Sequence, residues 1–124
     1  MKKSIAGALL IGALFITGSA IAADTYNFRT RQGPVTVTVH RDGRVEGYYP
    51  WNGGQMVGRA ERNGTLTGIW TQSKSDQACR EQRNGTFFWG RFYITDPYQR
   101  PVRGFYSYCG RNPDIDWGFR GERG

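Results

Sequence analysis

The sequence predicts an all-β domain: an antiparallel up-and-down meander of about seven or eight strands, curled into a tight sheet or small barrel, with one disulfide between Cys79 and Cys109. Three observations predict it. A pattern of apolar residue, any residue, glycine, any residue, bulky apolar residue recurs at Val45-Glu46-Gly47-Tyr48-Tyr49, Leu66-Thr67-Gly68-Ile69-Trp70, Phe88-Trp89-Gly90-Arg91-Phe92 and Val102-Arg103-Gly104-Phe105-Tyr106, with Ile115-Asp116-Trp117-Gly118-Phe119 as a degenerate last copy. Turn dipeptides separate these segments. After residue 23 no stretch has helical periodicity of useful length, and β-branched and aromatic residues dominate outside the turns.

Strand side chains alternate between faces, so the first, third and fifth positions of each copy share one face and the glycine lies between two large residues. A glycine there weakens a strand but permits sharp bending and lets a neighbouring ring lie across the gap. Gly47, Gly58 and Gly68, then Gly90, Gly104 and Gly118, follow one another at intervals of 10 to 14 residues apart from one wider gap around Cys79. One strand plus one turn has that length, so each glycine marks one strand of a meander.

The amino terminus reads as an export signal covering residues 1–22. Met1-Lys2-Lys3 is a short basic region, residues 5–16 are apolar and too few to span a bilayer comfortably, and Ala20 and Ala22 make a small-x-small end that places cleavage after Ala22 or Ala23. An uncleaved anchor is the alternative; no long apolar segment or basic stop signal follows to support it. The expected location is therefore periplasmic or secreted, and the Met-Lys-Lys start has a bacterial look.

Residues 23–124 are read as a single β domain of a common size. Taking Lys2 and Lys3 from the 17 basic residues leaves 15 against 10 acids, about +5. Fourteen of those 15 are arginine, whose planar fork binds carboxylates and phosphates in pairs and stacks on rings. An arginine-biased genome produces the same skew. In an oxidising compartment Cys79 and Cys109 are expected to pair, and with one histidine and no further cysteine nothing completes a zinc site.

Val35-Thr36-Val37-Thr38-Val39-His40 alternates strictly and is the strongest strand signal in the chain. Asp42-Gly43 follows as a hairpin turn whose two central positions both accept positive φ, leading into a strand over 45–49. Asn52-Gly53-Gly54 and Asn63-Gly64 supply two further turns, bounding strands over 55–62 and 65–72. Residues 73–83 form a polar loop or a single helical turn held through Cys79. An aromatic strand over 87–95, a proline-bounded turn over 96–101, a returning strand over 102–108, a turn at 111–114 and a closing strand over 115–120 complete the chain.

The repeat's own face, taken as inward, assembles a core from Val35, Val37, Val39, Val45, Tyr49, Leu66, Trp70, Phe88, Phe92, Ile94, Val102 and Tyr106 around Gly47, Gly68, Gly90 and Gly104. Seventeen rings against ten Val, Leu and Ile after residue 22 make it ring-rich. The other face is mostly threonine and charge, except for Tyr48, Trp89, Tyr93 and Phe105, which with Arg91 and Arg103 form the candidate ligand-binding surface. Exposed rings interleaved with arginines provide contact area at small entropic cost and directed bonds to anions or glycans. The competing reading is that these rings pack under loops, in cross-strand pairs or between two copies.

No catalytic constellation is visible. His40 is the sole histidine, at a strand end, and no serine or cysteine nucleophile has a recognisable setting. Asp114 and Asp116 could share a strand face for a cation or for glycoside chemistry, but no third acid accompanies them, and a turn-capping role suits them better. Asn63-Gly64-Thr65 and Asn84-Gly85-Thr86 match the glycosylation triplet and are read as turns. No cofactor and no metal are expected.

The glycine and aromatic strands, Asp42-Gly43-Arg44-Val45-Glu46-Gly47-Tyr48 in particular, resemble in style the hairpins of small secreted up-and-down barrels: avidins, lipocalin-like proteins and bacterial periplasmic protease inhibitors. The likeness covers most of residues 35–108 and implies a barrel that binds rather than catalyses. No biotin site or inhibitory amino-terminal segment maps onto particular positions. The expected activity is thus non-catalytic recognition of a protein or an anionic glycan of the cell envelope, by a sheet face or a barrel mouth. A structural or self-assembling role, with the aromatic face buried in a homo-oligomer, and an envelope enzyme are the alternatives. Basic barrels also bind nucleic acid, against which export argues.

Overall fold

Alternating residues and short turns produce one eight-stranded antiparallel sheet in a computed structural model that describes residues 23–120. The export signal expected over residues 1–22 therefore lies outside the described residues. The strands are β1 (Asp24–Thr30), β2 (Gly33–Val39), β3 (Arg44–Tyr49), β4 (Gly54–Ala60), β5 (Leu66–Thr71), β6 (Trp89–Ile94), β7 (Gly104–Tyr106) and β8 (Ile115–Asp116). Each pairs with its sequence neighbour, so the sheet is an uninterrupted meander curled into a half-barrel. Its two edges are then tied. Arg120 N donates to Arg29 O at 2.8 Å and Arg31 N donates to Trp117 O at 3.4 Å, joining the 117–120 segment to β1 and the residue that follows it.

The first strand is additional to the sequence reading, which began the sheet at Val35. Asp24–Thr30 turns Tyr26 and Phe28 inward and pairs over its full length with β2. At the other end, the closing strand expected over 115–120 is confined to Ile115–Asp116. Gly118 takes a φ of +78°, which turns the chain off the β7 edge so that Trp117 and Phe119 fold inward, while Ile115 stays exposed.

The Asp42-Gly43 and Asn63-Gly64 turns share a geometry that differs from the expected one. Only the glycines have positive φ, at +91° each. The preceding Asp42 and Asn63 instead use their side chains, accepting from Arg44 N at 3.0 Å and Thr65 N at 3.1 Å. A pair with both central φ values positive occurs at Asn84-Gly85, closed by reciprocal bonds between Arg83 and Thr86.

The repeat's face is the core. Phe28, Val35, Val37, Val45, Met56, Leu66, Phe92 and Ile94 are each at most 1% exposed. Gly58 and Gly68 face each other across β4 and β5, and the Phe92 ring reaches over Gly68: a Cβ there would stand 2.8 Å from it and closer still to the β4 backbone. At Gly90 a Cβ would collide with Ser107 O and come within 2.6 Å of the Trp70 indole nitrogen. Such gaps let large rings lie against a curled sheet. Phe88, expected in the core, is only partly buried because it precedes β6 in the approach from the cysteine loop.

Cys79 and Cys109 are bonded, with Cα atoms 5.6 Å apart and 30 residues between them in sequence. The loop over 73–83 has no helical turn; it lies across the outer face near β6 and is held there by that bond. No helix among the described residues is long and apolar enough to cross a membrane.

Candidate functional site

Cross-strand register sets the composition of the outer face. One row runs Arg59, Thr67, Tyr93, Phe105 across β4 to β7, and the adjacent row runs Val57, Ile69, Arg91. Tyr93 and Phe105 are directly opposed, with ring centroids 6.3 Å apart at a tilt of 53°. Arg91 and Arg103 are exposed beside them, and no carboxylate lies within ion-pair distance of either among the described residues. Four of the six predicted site residues are thus brought together. Val57, 46% exposed, and Ile69 extend the apolar stripe diagonally towards β3, an extension the sequence reading did not include.

Tyr48 and Trp89 depart from the expected cluster. Tyr48 is 60% exposed, but two strands, β4 and β5, separate it from β6, a distance of about 14 Å at roughly 4.8 Å per strand. Trp89 points to the outer side as its position in the alternation requires, yet is only 5% exposed. The cysteine loop covers it: its indole N–H donates to Glu81 O at 2.8 Å and the Arg83 guanidinium sits 4.7 Å from the ring centroid. Strand parity could not reveal this, because the cover comes from a loop outside the alternating pattern.

A second, concave surface lies at the end of the curled sheet formed by the β1–β2, β3–β4 and β5–β6 connections. It is a cavity of about 400 Å³ whose floor is Tyr49, Trp70, Tyr106, Tyr108 and Trp117. These rings meet edge to face: Tyr49 with Trp117 at 5.7 Å, and Trp70 with Tyr106 at 6.5 Å and with Tyr108 at 6.0 Å. The polar atoms of Trp70 and Tyr49 are satisfied by residues just beyond the strand ends. Trp70 Nε1 donates to Ser107 O at 3.0 Å, and Tyr49 Oη donates to Gln72 Oε1 at 2.7 Å. Burial pushes the Tyr49 phenol well above its ordinary pKa, with Tyr106 adding to the rise, and Tyr108 is raised by the same two causes in the same order.

One wall of this mouth is the 3₁₀ turn Trp51–Gly53, stitched to the start of the cysteine loop. Ser73 N and Oγ both donate to Asn52 O, at 2.9 and 3.1 Å, and Asn52 Nδ2 and Gln72 Nε2 both donate to Lys74 O, at 3.2 and 2.8 Å. Sequence reasoning placed Tyr49, Trp70 and Tyr106 in the core without seeing that the core opens at this end. The hint available was the recurrence of a ring at the last position of every repeat copy, of which Tyr49, Trp70 and Tyr106 meet here.

No protein-family model, curated protein or solved structure matches the chain significantly. The geometry alone carries the functional reading.

The other candidates are engaged locally. His40 Nε2 lies 3.2 Å from Glu46 Oε1 at an exposed turn, where Arg44 contacts both Glu46 and Asp42. The Arg44 backbone N–H, followed by the Arg44 guanidinium, holds the Asp42 carboxyl below its usual range. Asp116 Oδ1 accepts from Gly118 N at 2.8 Å, the capping role expected of it. No group of three or more His, Cys, Asp or Glu gathers in a metal-binding arrangement among the described residues.

Proposed function

We propose that this chain is a non-catalytic binding protein, exported to the periplasm or beyond, that recognises an anionic macromolecule of the cell envelope through the outer face of β6 and β7. The observation carrying this reading is the Tyr93–Phe105 pair flanked by exposed Arg91 and Arg103 with no carboxylate at ion-pair distance among the described residues. A paired ring platform offers contact area already ordered in the free protein, and uncompensated guanidinium groups supply directed, charge-assisted bonds. The bridged Cys79 and Cys109 suit an oxidising compartment.

The test is a pull-down from the envelope fraction at low and at high salt, with the native protein and with Arg91→Ser/Arg103→Ser. Capture that falls steeply with salt and is lost in the double variant supports the reading. Capture unaffected by either change defeats it, and a change in oligomeric state on Tyr93→Ser/Phe105→Ser would assign the face to contacts between copies.

A further inference from the structure

The aromatic mouth is separate from the β6–β7 face and has a different chemistry. Its ionic side chains are one Lys74 and one Asp76, of opposite charge, in a chain with a surplus of basic residues. A site this close to neutral offers nothing to select an anion. Trp51 stands at its rim 54% exposed, and its indole makes no ring contact and no hydrogen bond among the described residues. An exposed tryptophan leaves a large apolar ring in water, and the turn bearing it is held in one geometry by three hydrogen bonds between Asn52 and residues 73–74.

Around the rings stand side-chain amides. Gln32 has both Oε1 and Nε2 of its side-chain amide uncommitted among the described residues, and Asn52, whose Nδ2 is used, keeps Oδ1 for a ligand. An amide offers both donors and acceptors, which matches a hydroxyl that does both. The combination of flat apolar ring faces with neutral donor-acceptor groups fits a pyranose: its C–H face lies on an indole or phenol while its equatorial hydroxyls reach the amides. A purely apolar ligand would leave Gln32, Asn52, Lys74 and Asp76 facing hydrocarbon without partners. The volume, about 400 Å³, falls in the range of small-molecule sites, roughly 300–1,000 Å³.

We infer that the mouth is a binding site for a neutral saccharide, the end of an oligosaccharide chain, with Trp51 as the stacking platform and Gln32 and Asn52 as hydroxyl partners. The site is pre-formed, because its floor is the ring cluster of the core and its wall is the hydrogen-bonded 51–53 turn.

The experiment is titration of the purified protein with gluco-, galacto-, manno- and N-acetylglucosamine-configured neutral trisaccharides, and separately with 8-anilinonaphthalene-1-sulfonate, followed by ¹H–¹⁵N NMR and tryptophan fluorescence. At least one trisaccharide is expected to give saturable shifts at the Trp51, Trp70 and Trp117 indoles with a Kd of about 1 mM or tighter. Trp51→Ala should weaken that binding at least about tenfold while leaving the unfolding midpoint in place, and Gln32→Ala should weaken it by a smaller factor. Arg91→Ser/Arg103→Ser should leave it unchanged, which separates failure of this inference from failure of the outer-face reading. Absence of saturable shifts with all four sugars, saturation by the naphthalene dye alone, or sugar binding indifferent to both Trp51→Ala and Gln32→Ala would overturn it.

Discussion

The mouth and the outer face of β6–β7 are both built from rings, yet they present them in opposite ways. In the mouth, five aromatic residues from β3, β5, β7 and the carboxy-terminal segment lean edge to face on one another, and the Trp70 and Tyr49 polar atoms are satisfied by residues 37 and 23 positions away. On the outer face, Tyr93 has a single ring partner among the described residues, the directly opposed Phe105, and Arg91 and Arg103 lie exposed beside the pair. The first is a consequence of curvature: bending the sheet at its glycines converges side chains from distant strands. The second is a consequence of register alone, and would exist on a flat sheet. Loss of curvature should therefore destroy the mouth and spare the β6–β7 face.

The disulfide gives the largest effect. Replacing Cys79 and Cys109 by Ala should cost about 3 to 4 kcal/mol in the chain-entropy model for a 30-residue separation, read from urea unfolding. It should also loosen the 72–74 wall of the mouth more than the Tyr93–Phe105 pair, seen as amide exchange rising first at Ser73 and Lys74. Next is Gly90→Ala, which should destabilise by about 1 to 3 kcal/mol because the methyl group meets Ser107 O and the Trp70 indole. Near-ultraviolet circular dichroism should show the mouth rings disturbed, while the outer face retains partner capture.

A pH dependence follows from Tyr49. Its folded-state pKa is raised by burial above the ordinary value of 10.0, so above that pH the unfolded chain loses a proton that the folded chain keeps. Stability from this group is present below pH ~10 and declines as pH rises further towards the folded pKa. Tyr49→Phe should flatten that alkaline decline in a series of unfolding midpoints, at the cost of the bond to Gln72. The smallest change in stability belongs to Arg91→Ser/Arg103→Ser, within about ±0.5 kcal/mol, because both side chains are exposed and neither forms an ion pair among the described residues. A larger loss would mean the outer face is structural.

Much of this was legible before folding. Strict alternation over residues 35–39 and the spaced glycines placed β2 to β7 and, except in β4 where Met56 was not assigned to the core, their inward faces, because strand parity is local. The disulfide followed from two cysteines in a chain whose amino terminus reads as an export signal. Asp24–Thr30 was overlooked although Tyr26, Phe28 and Thr30 alternate with Asn27 and Arg29; the segment abuts the residues read as an export signal and has no turn dipeptide of the Asn-Gly kind before β2. Trp89 was misplaced for a different reason. Parity states which side a residue leaves the sheet, and only the bonded cysteine loop determines whether water reaches it there.

Taken alone, the amino-acid order determined a meander, its inner and outer faces, its turns and its cross-link, since each depends on neighbours within a strand and a turn. Tertiary structure alone decided that the ring-filled interior opens at one end beside Trp51, that the chain's tail ties back to Arg29 and Arg31, and that Tyr48 stands apart from Tyr93 and Phe105. Those outcomes depend on how far a sheet curls and which distant segments then meet, and no local pattern carries that information.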